Sequence, residues 1–139
     1  MPNIKRLKLL AWYIRSIPRE HFNMQIWLYH PMPFVNGRIE KVELGTLGCA
    51  IGWATQIPEF NKEGFTFDFV VNDNGAPAYE DNNDNEWCYT YRGWDAVLKF
   101  FNISSYDDAY DIFSGWNDRN TPAAVYKRIH QYIKKSVKD

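Results

Sequence analysis

The segment LGTLGCAIGWATQIPEF, residues 44–60, constrains the fold more than any other stretch of the chain. Gly45, Gly48, Ala50, Gly52 and Ala54 surround Cys49, so a helix through them has almost no side-chain bulk on one flank. Such a flank lets a second backbone come close. The spacing predicts a helix over 45–56 at the centre of the fold, with Thr46 as its cap. Leu47, Ala50, Ile51 and Ala54 form one face, and Pro58 closes the segment.

Cys49 admits three readings. A thiol near a helix N-terminus has a depressed pKa and can act as a nucleophile. It would then need His21, His30 or His130 within hydrogen-bond reach, and nothing in the spacing requires that. Structural zinc uses short paired spacings, whereas Cys49, Cys88, His21 and His30 are scattered. A free cysteine also behaves as a small buried hydrophobe, and the glycines around Cys49 favour that role.

Other motifs fail at defined points. DNNDNE, residues 81–86, starts like a calcium loop but has Glu86 where the glycine belongs and Arg92 where the closing glutamate belongs. The glycines at 45, 48 and 52 match no phosphate-binding pattern. Asp107, Asp108 and Asp111 sit in the first turns of a predicted helix, where acids suit the dipole. The expectation is therefore no catalytic residue, no metal and no cofactor.

Helices are also predicted at both ends. Ile4, Leu7, Leu10, Ala11, Ile14 and Ile17 form a stripe over 3–17, with Asn3 as cap and Pro18 as terminator. Trp94, Val97, Leu98 and Phe101 form another stripe. SSYDDAYDIF opens with a serine cap, and NTPAAVYKRIHQYIKKSVKD starts with Thr121 at the cap and Pro122 at the first position. Strands are predicted at 22–30, 65–71 and 86–91. The intervening NDNGAPAYEDNNDNE reads as a solvated loop or hairpin tip. The fold class is α+β: one predominantly helical domain over 1–139 with a small antiparallel sheet.

Aromatic residues make up 17% of the chain. Large side chains of this kind fill cores, but when exposed they anchor binding surfaces. Trp27, Tyr29, Phe34, Trp87, Tyr89 and Trp116 are the candidate binding aromatics, with Arg92 and Arg119 as cations beside them. In GWNDRNTP, Trp116 can instead cap the core while Asp118 and Arg119 pair on the surface. The net charge of −1 supplies no global attraction for nucleic acid or an anionic membrane. Basic residues cluster at the two ends, which could lie side by side. At that net charge nucleic acid is the less expected partner, and only the basic C-terminal helix keeps it in view. No apolar run is long enough to span a membrane, and Arg15 interrupts the apolar N-terminal stretch, with no cleavage site after it. The expected location is the cytoplasm, with reduced thiols.

In order along the chain come EHFNM, LGTLGCAIGWA, AVLKFFNIS, DIF and TPAAVYKRIHQYI. This order resembles a family of small uncharacterised bacteriophage and bacterial proteins. Its members carry Cys-Gly-Thr-x-x-Cys-x-x-Gly-(His or Trp)-Ala, later a Phe-Phe-Gly-Leu-like stretch, and a closing helix that opens with Thr-Pro. The family's first cysteine is replaced here by Leu44, and its Phe-Phe-Gly glycine by Asn102. An apolar residue at 44 favours packing over chemistry there. The resemblance implies no activity and no catalytic residues.

Three functions follow as expectations. The first is a non-enzymatic binding protein, phage- or mobile-element-encoded, that engages a host protein, for example as a counter-defence inhibitor. The second is a small-molecule binder of a nucleotide-like ligand, which needs an aromatic-walled pocket and a cation such as Arg92 or Arg119. The third is a Cys49-dependent enzyme.

Overall fold

Asn3 starts the first helix: its side-chain oxygen accepts the Arg6 N–H at 3.1 Å, satisfying one of the amides a helix start leaves free. The computed structural model describes residues 1–69, 75–81, 89–115 and 120–138. Helix α1 (Ile4–Ile14) buries Leu7, Leu10, Ala11 and Ile14, the stripe expected from the sequence. It ends earlier than the expected 17. Pro18 pushes Ile17 out of the helical region, and the chain leaves through two tighter bonds, Ser16 to Tyr13 and Ile17 to Ile14.

Residues 22–30 keep the expected alternation in burial but not in pairing. Phe22, Met24 and Leu28 are buried while Gln25 and Tyr29 are exposed. Only β1 (Leu28–Tyr29) forms a ladder, with β2 (Leu47–Gly48). The Asn23 side chain accepts the Gln25 N–H at 2.9 Å, and its carbonyl accepts the Ile26 N–H. This Asx turn breaks the extended chain.

The small-residue segment is also rearranged. Helix α2 (Ala50–Ala54) starts at Cys49, not Thr46. Thr46 is engaged elsewhere: its hydroxyl accepts the Glu43 N–H at 3.0 Å and lies 2.8 Å from His30 Nδ1. Pro58 does not merely end the segment. It opens α3 (Pro58–Lys62), filling a first-turn position whose N–H would have no partner.

A second sheet joins β3 (Phe65–Asp68), β4 (Ala76–Asp81) and β5 (Tyr89–Arg92), all antiparallel with β4 in the middle. The expected single sheet is thus two, and β5 pairs with β4. Strand β4 lies within the stretch expected to be loop. Its Pro77 falls beyond the last β4–β5 pair, Ala78 with Arg92, where a missing N–H is tolerated. Its carbonyl still accepts the Gly93 N–H at 2.9 Å.

Helix α4 (Trp94–Phe101) packs on this sheet and is closed by Asn102 in the left-handed conformation, φ 53° and ψ 47°. Helix α5 (Tyr106–Phe113) is capped by Ser105, which accepts the Asp108 N–H at 3.1 Å. Helix α6 (Pro122–Lys138) is capped by Thr121, whose hydroxyl accepts the Ala124 N–H. The starts of α5 and α6 are those the sequence predicts. The architecture is α+β.

Phenylalanines fill much of the core. Phe65 stacks on Phe100 with centroids 4.4 Å apart, and Phe60 meets Phe100 edge-on at 4.9 Å. Arg6 lies over the Phe100 ring, donates to the Phe100 carbonyl at 2.7 Å and pairs with Glu63 at 2.8 Å. Helices α1 and α6 pack side by side, so the two basic ends do meet.

Candidate functional site

The site is built by draping residues 22–29 across α2. Gly52 carries no Cβ, and the Trp27 carbonyl oxygen occupies the space one would fill. That carbonyl accepts the Cys49 N–H at 3.1 Å and lies 3.6 Å from the Cys49 thiol, while the Ile26 carbonyl accepts the same N–H at 2.9 Å. Asn23 N–H donates to the Gly48 carbonyl. The backbone against the small-residue flank is therefore that of Ile26 and Trp27. Trp53 points inward, its ring N–H donating to the His21 carbonyl at 2.9 Å.

Cys49 is buried, and burial pushes its thiol up to about 11, against the pull of the Gly52 and Ile51 amides. Its sulfur accepts the Gly52 N–H, so it acts as the helix cap. Among the described residues it bonds no histidine: His21 Nδ1 lies against the Thr46 carbonyl and His30 Nδ1 against the Thr46 hydroxyl. The buried, neutral thiol packs in the core and caps α2. No three of His, Cys, Asp and Glu converge on a metal-sized site among the described residues.

Held this way, Trp27 borders two clefts. The first, about 590 Å³, is lined by Met24, Gln25, Trp27, Cys49, Trp94, Phe113, Ser114 and Gly115. Trp27 and Trp94 form an aromatic corner, centroids 5.2 Å apart and planes 57° apart, and Tyr110 backs Trp94 edge-on at 4.7 Å. No charged side chain is among its described lining residues.

The second cleft, about 970 Å³, follows residues 25–34 and is closed by Leu47 and Phe69. Phe34 anchors it, stacked on Phe67 at 5.5 Å and edge-on to Phe69 at 4.9 Å. Tyr29 is 53% exposed and Met32 56% exposed, and Phe69 is also exposed. Pro31 and Pro33 flank Met32, which lies in a bend of the chain.

Trp27, Tyr29 and Phe34 thus come together, as the sequence reading requires of a binding surface. Arg92 does not join them. It reaches across β4 to Asp68, with an ion pair of 3.0 Å, and lines neither cleft. Tyr89 takes its place in β5 opposite Asp81. Trp87, Trp116 and Arg119 lie outside the described residues. Met32 and Phe69 were not singled out from sequence. The Pro-Met-Pro triplet and the Phe65, Phe67, Phe69 alternation are the signals that mark them. Leu44, where the resemblance puts a first cysteine, is 95% exposed.

Compared with family models, curated proteins and solved structures, the chain finds no match. No helix among the described residues is long and apolar enough to cross a membrane.

Proposed function

We propose that the chain is a non-enzymatic protein-binding module whose contact surface is the cleft along residues 25–34. One observation carries the reading: Trp27, Tyr29, Met32, Phe34 and Phe69 converge on a single open, largely apolar cleft, with Tyr29 and Met32 more than half exposed. Large apolar side chains held exposed on a fixed backbone are the usual anchors of a protein contact. The state of Cys49 speaks against the enzymatic alternative. The resemblance to phage and bacterial proteins makes a host protein the partner to seek first, and a defence protein is the form a counter-defence role would require. The test is affinity capture from a bacterial host by the wild type and by Tyr29→Asp/Met32→Asp. A partner held by the first and released by the second supports the reading. A partner held equally by both, or none at all, refutes it.

A second reading rests on the other cleft. At about 590 Å³, with Trp27, Trp94 and Phe113 as walls, it has the size and lining of a small-molecule site. Without a cation among its described residues, it suits an uncharged flat ring better than a nucleotide's phosphates. A thermal-shift series of nucleosides, nucleotides and indoles tests it, because a ligand that binds only the folded state must raise the melting temperature. Stabilisation by nucleosides or indoles that is lost in Trp94→Ala supports this reading, and a flat response to the whole series ends it.

A further inference from the structure

We propose that the α1–α6 face binds single-stranded nucleic acid. The net charge of −1 hides a strong segregation. Neither α1 (IKRLKLLAWYI) nor α6 (PAAVYKRIHQYIKKSVK) contains a single acidic residue. The two helices lie antiparallel. Arg15, just past the end of α1, sits over the Tyr126 ring at 5.1 Å near the start of α6, and the N-terminal Met1 and Pro2 share a shallow cleft with Tyr132, Lys135 and Ser136 near its end.

Lys5, Lys8, Trp12 and Arg15 fall at intervals of three and four, so they form one stripe along α1, and all four are exposed. Lys127 and Lys134 form the matching exposed stripe on α6. Among the described residues, Lys5, Lys8, Arg15, Lys127 and Lys134 have no ion-pair partner, whereas Arg6 and Arg92 each have one. Five uncompensated cations on two adjacent helices are the electrostatic footprint of a polyanion site.

Trp12 decides which polyanion. It is 68% exposed and stands inside the cationic stripe, between Lys8 and Arg15. A helix that lies in a membrane surface needs a free apolar face. Here Leu7, Leu10, Ala11 and Ile14 of α1 and Val125, Ile129 and Ile133 of α6 are all buried in the core. What remains is an aromatic plane flanked by cations, the pairing that holds unstacked bases and their phosphates. A duplex offers no such base face, so the strand is single.

The test is fluorescence anisotropy with labelled oligothymidylate and oligouridylate on the full chain, across a salt series. A single strand contacting three to five of these cations gives a slope of log K on log salt of about −2 to −4. Lys8→Glu/Lys127→Glu/Lys134→Glu is expected to weaken binding at least about 30-fold, and Trp12→Ala about tenfold. All four side chains are exposed, so circular dichroism should show both variants folded. Loss of affinity in both variants, with weaker binding to a duplex of the same length, supports the proposal. It is overturned by no binding at low salt, by salt-independent binding, or by equal affinity of the charge-reversed variant. An unchanged Trp12→Ala, equal binding to polyglutamate, or binding to phosphatidylserine vesicles without binding to oligonucleotides overturns it as well.

Discussion

The carbonyl oxygen of Trp27 occupies the space a Cβ on Gly52 would fill. The obstacle is backbone, fixed in turn by the Cys49 amide, so it cannot swing aside as a side chain would. Gly52→Ala must therefore lift residues 26–27 off α2. The expected cost is at least about 3 kcal/mol, at the upper end of overpacking penalties, or a failure to fold. Urea unfolding followed by circular dichroism measures it. A loss below about 1 kcal/mol would show that the drape over α2 is loose.

Cys49 gives a pH prediction. Its thiol titrates near the usual 9 when unfolded and near 11 when folded, because burial penalises the thiolate. Below pH 9 both states hold the proton, and the contribution is fully present. Between 9 and 11 the unfolded chain binds fewer protons, so stability falls with rising pH, by up to about 1.4 kcal/mol per unit. In a urea series from pH 8 to 11, Cys49→Ala should lack this component. Iodoacetamide at pH 8 should label Cys49 only after unfolding.

Asn102 adopts the left-handed conformation that glycine adopts most readily. Asparagine is the residue best able to replace glycine there. Asn102→Gly should change stability by less than about 1 kcal/mol, after loss of its bond to the Met1 carbonyl. Asn102→Val, with a branched side chain at positive φ, should cost about 1–2 kcal/mol. Thermal denaturation of the pair separates backbone strain from side-chain contacts.

Thr46→Val removes the hydroxyl that serves both the Glu43 amide and the buried His30 ring. Two polar groups lose their shared partner, and a loss of about 1–3 kcal/mol is expected in denaturant unfolding. Arg92→Ala gives the contrast. Its ion pair with Asp68 is partly exposed, so a loss below about 1 kcal/mol is expected.

What the sequence disclosed follows the range of each interaction. Caps at Asn3, Ser105 and Thr121 are local, and each is where the pattern puts it. The packing role of Cys49 was legible from its small neighbours. Strand β4 was not, although both its partners are its neighbours along the chain, because its proline and flanking asparagines carry the composition of a loop. Thr46 looked like a cap because a free hydroxyl before a small-residue run usually is one. Nothing local reveals that His30 and the Glu43 amide already claim it. Of the candidate site, Trp27, Tyr29 and Phe34 converge because the chain from Phe22 to Tyr29 is pinned to α2, a tertiary fact without a sequence pattern.

Trp27 is a wall of both clefts, and Gln25 borders both as well. An occupant on one side that turns the indole reshapes the space on the other. If both proposed occupants bind, such a turn would link the two clefts thermodynamically. By reciprocity, whatever factor a small molecule beside Trp94 imposes on the affinity of a protein at Tyr29 is the factor that protein returns to the small molecule. One side chain would make the pair a conditional binder, whose grip on a protein reports whether a ring has arrived next door.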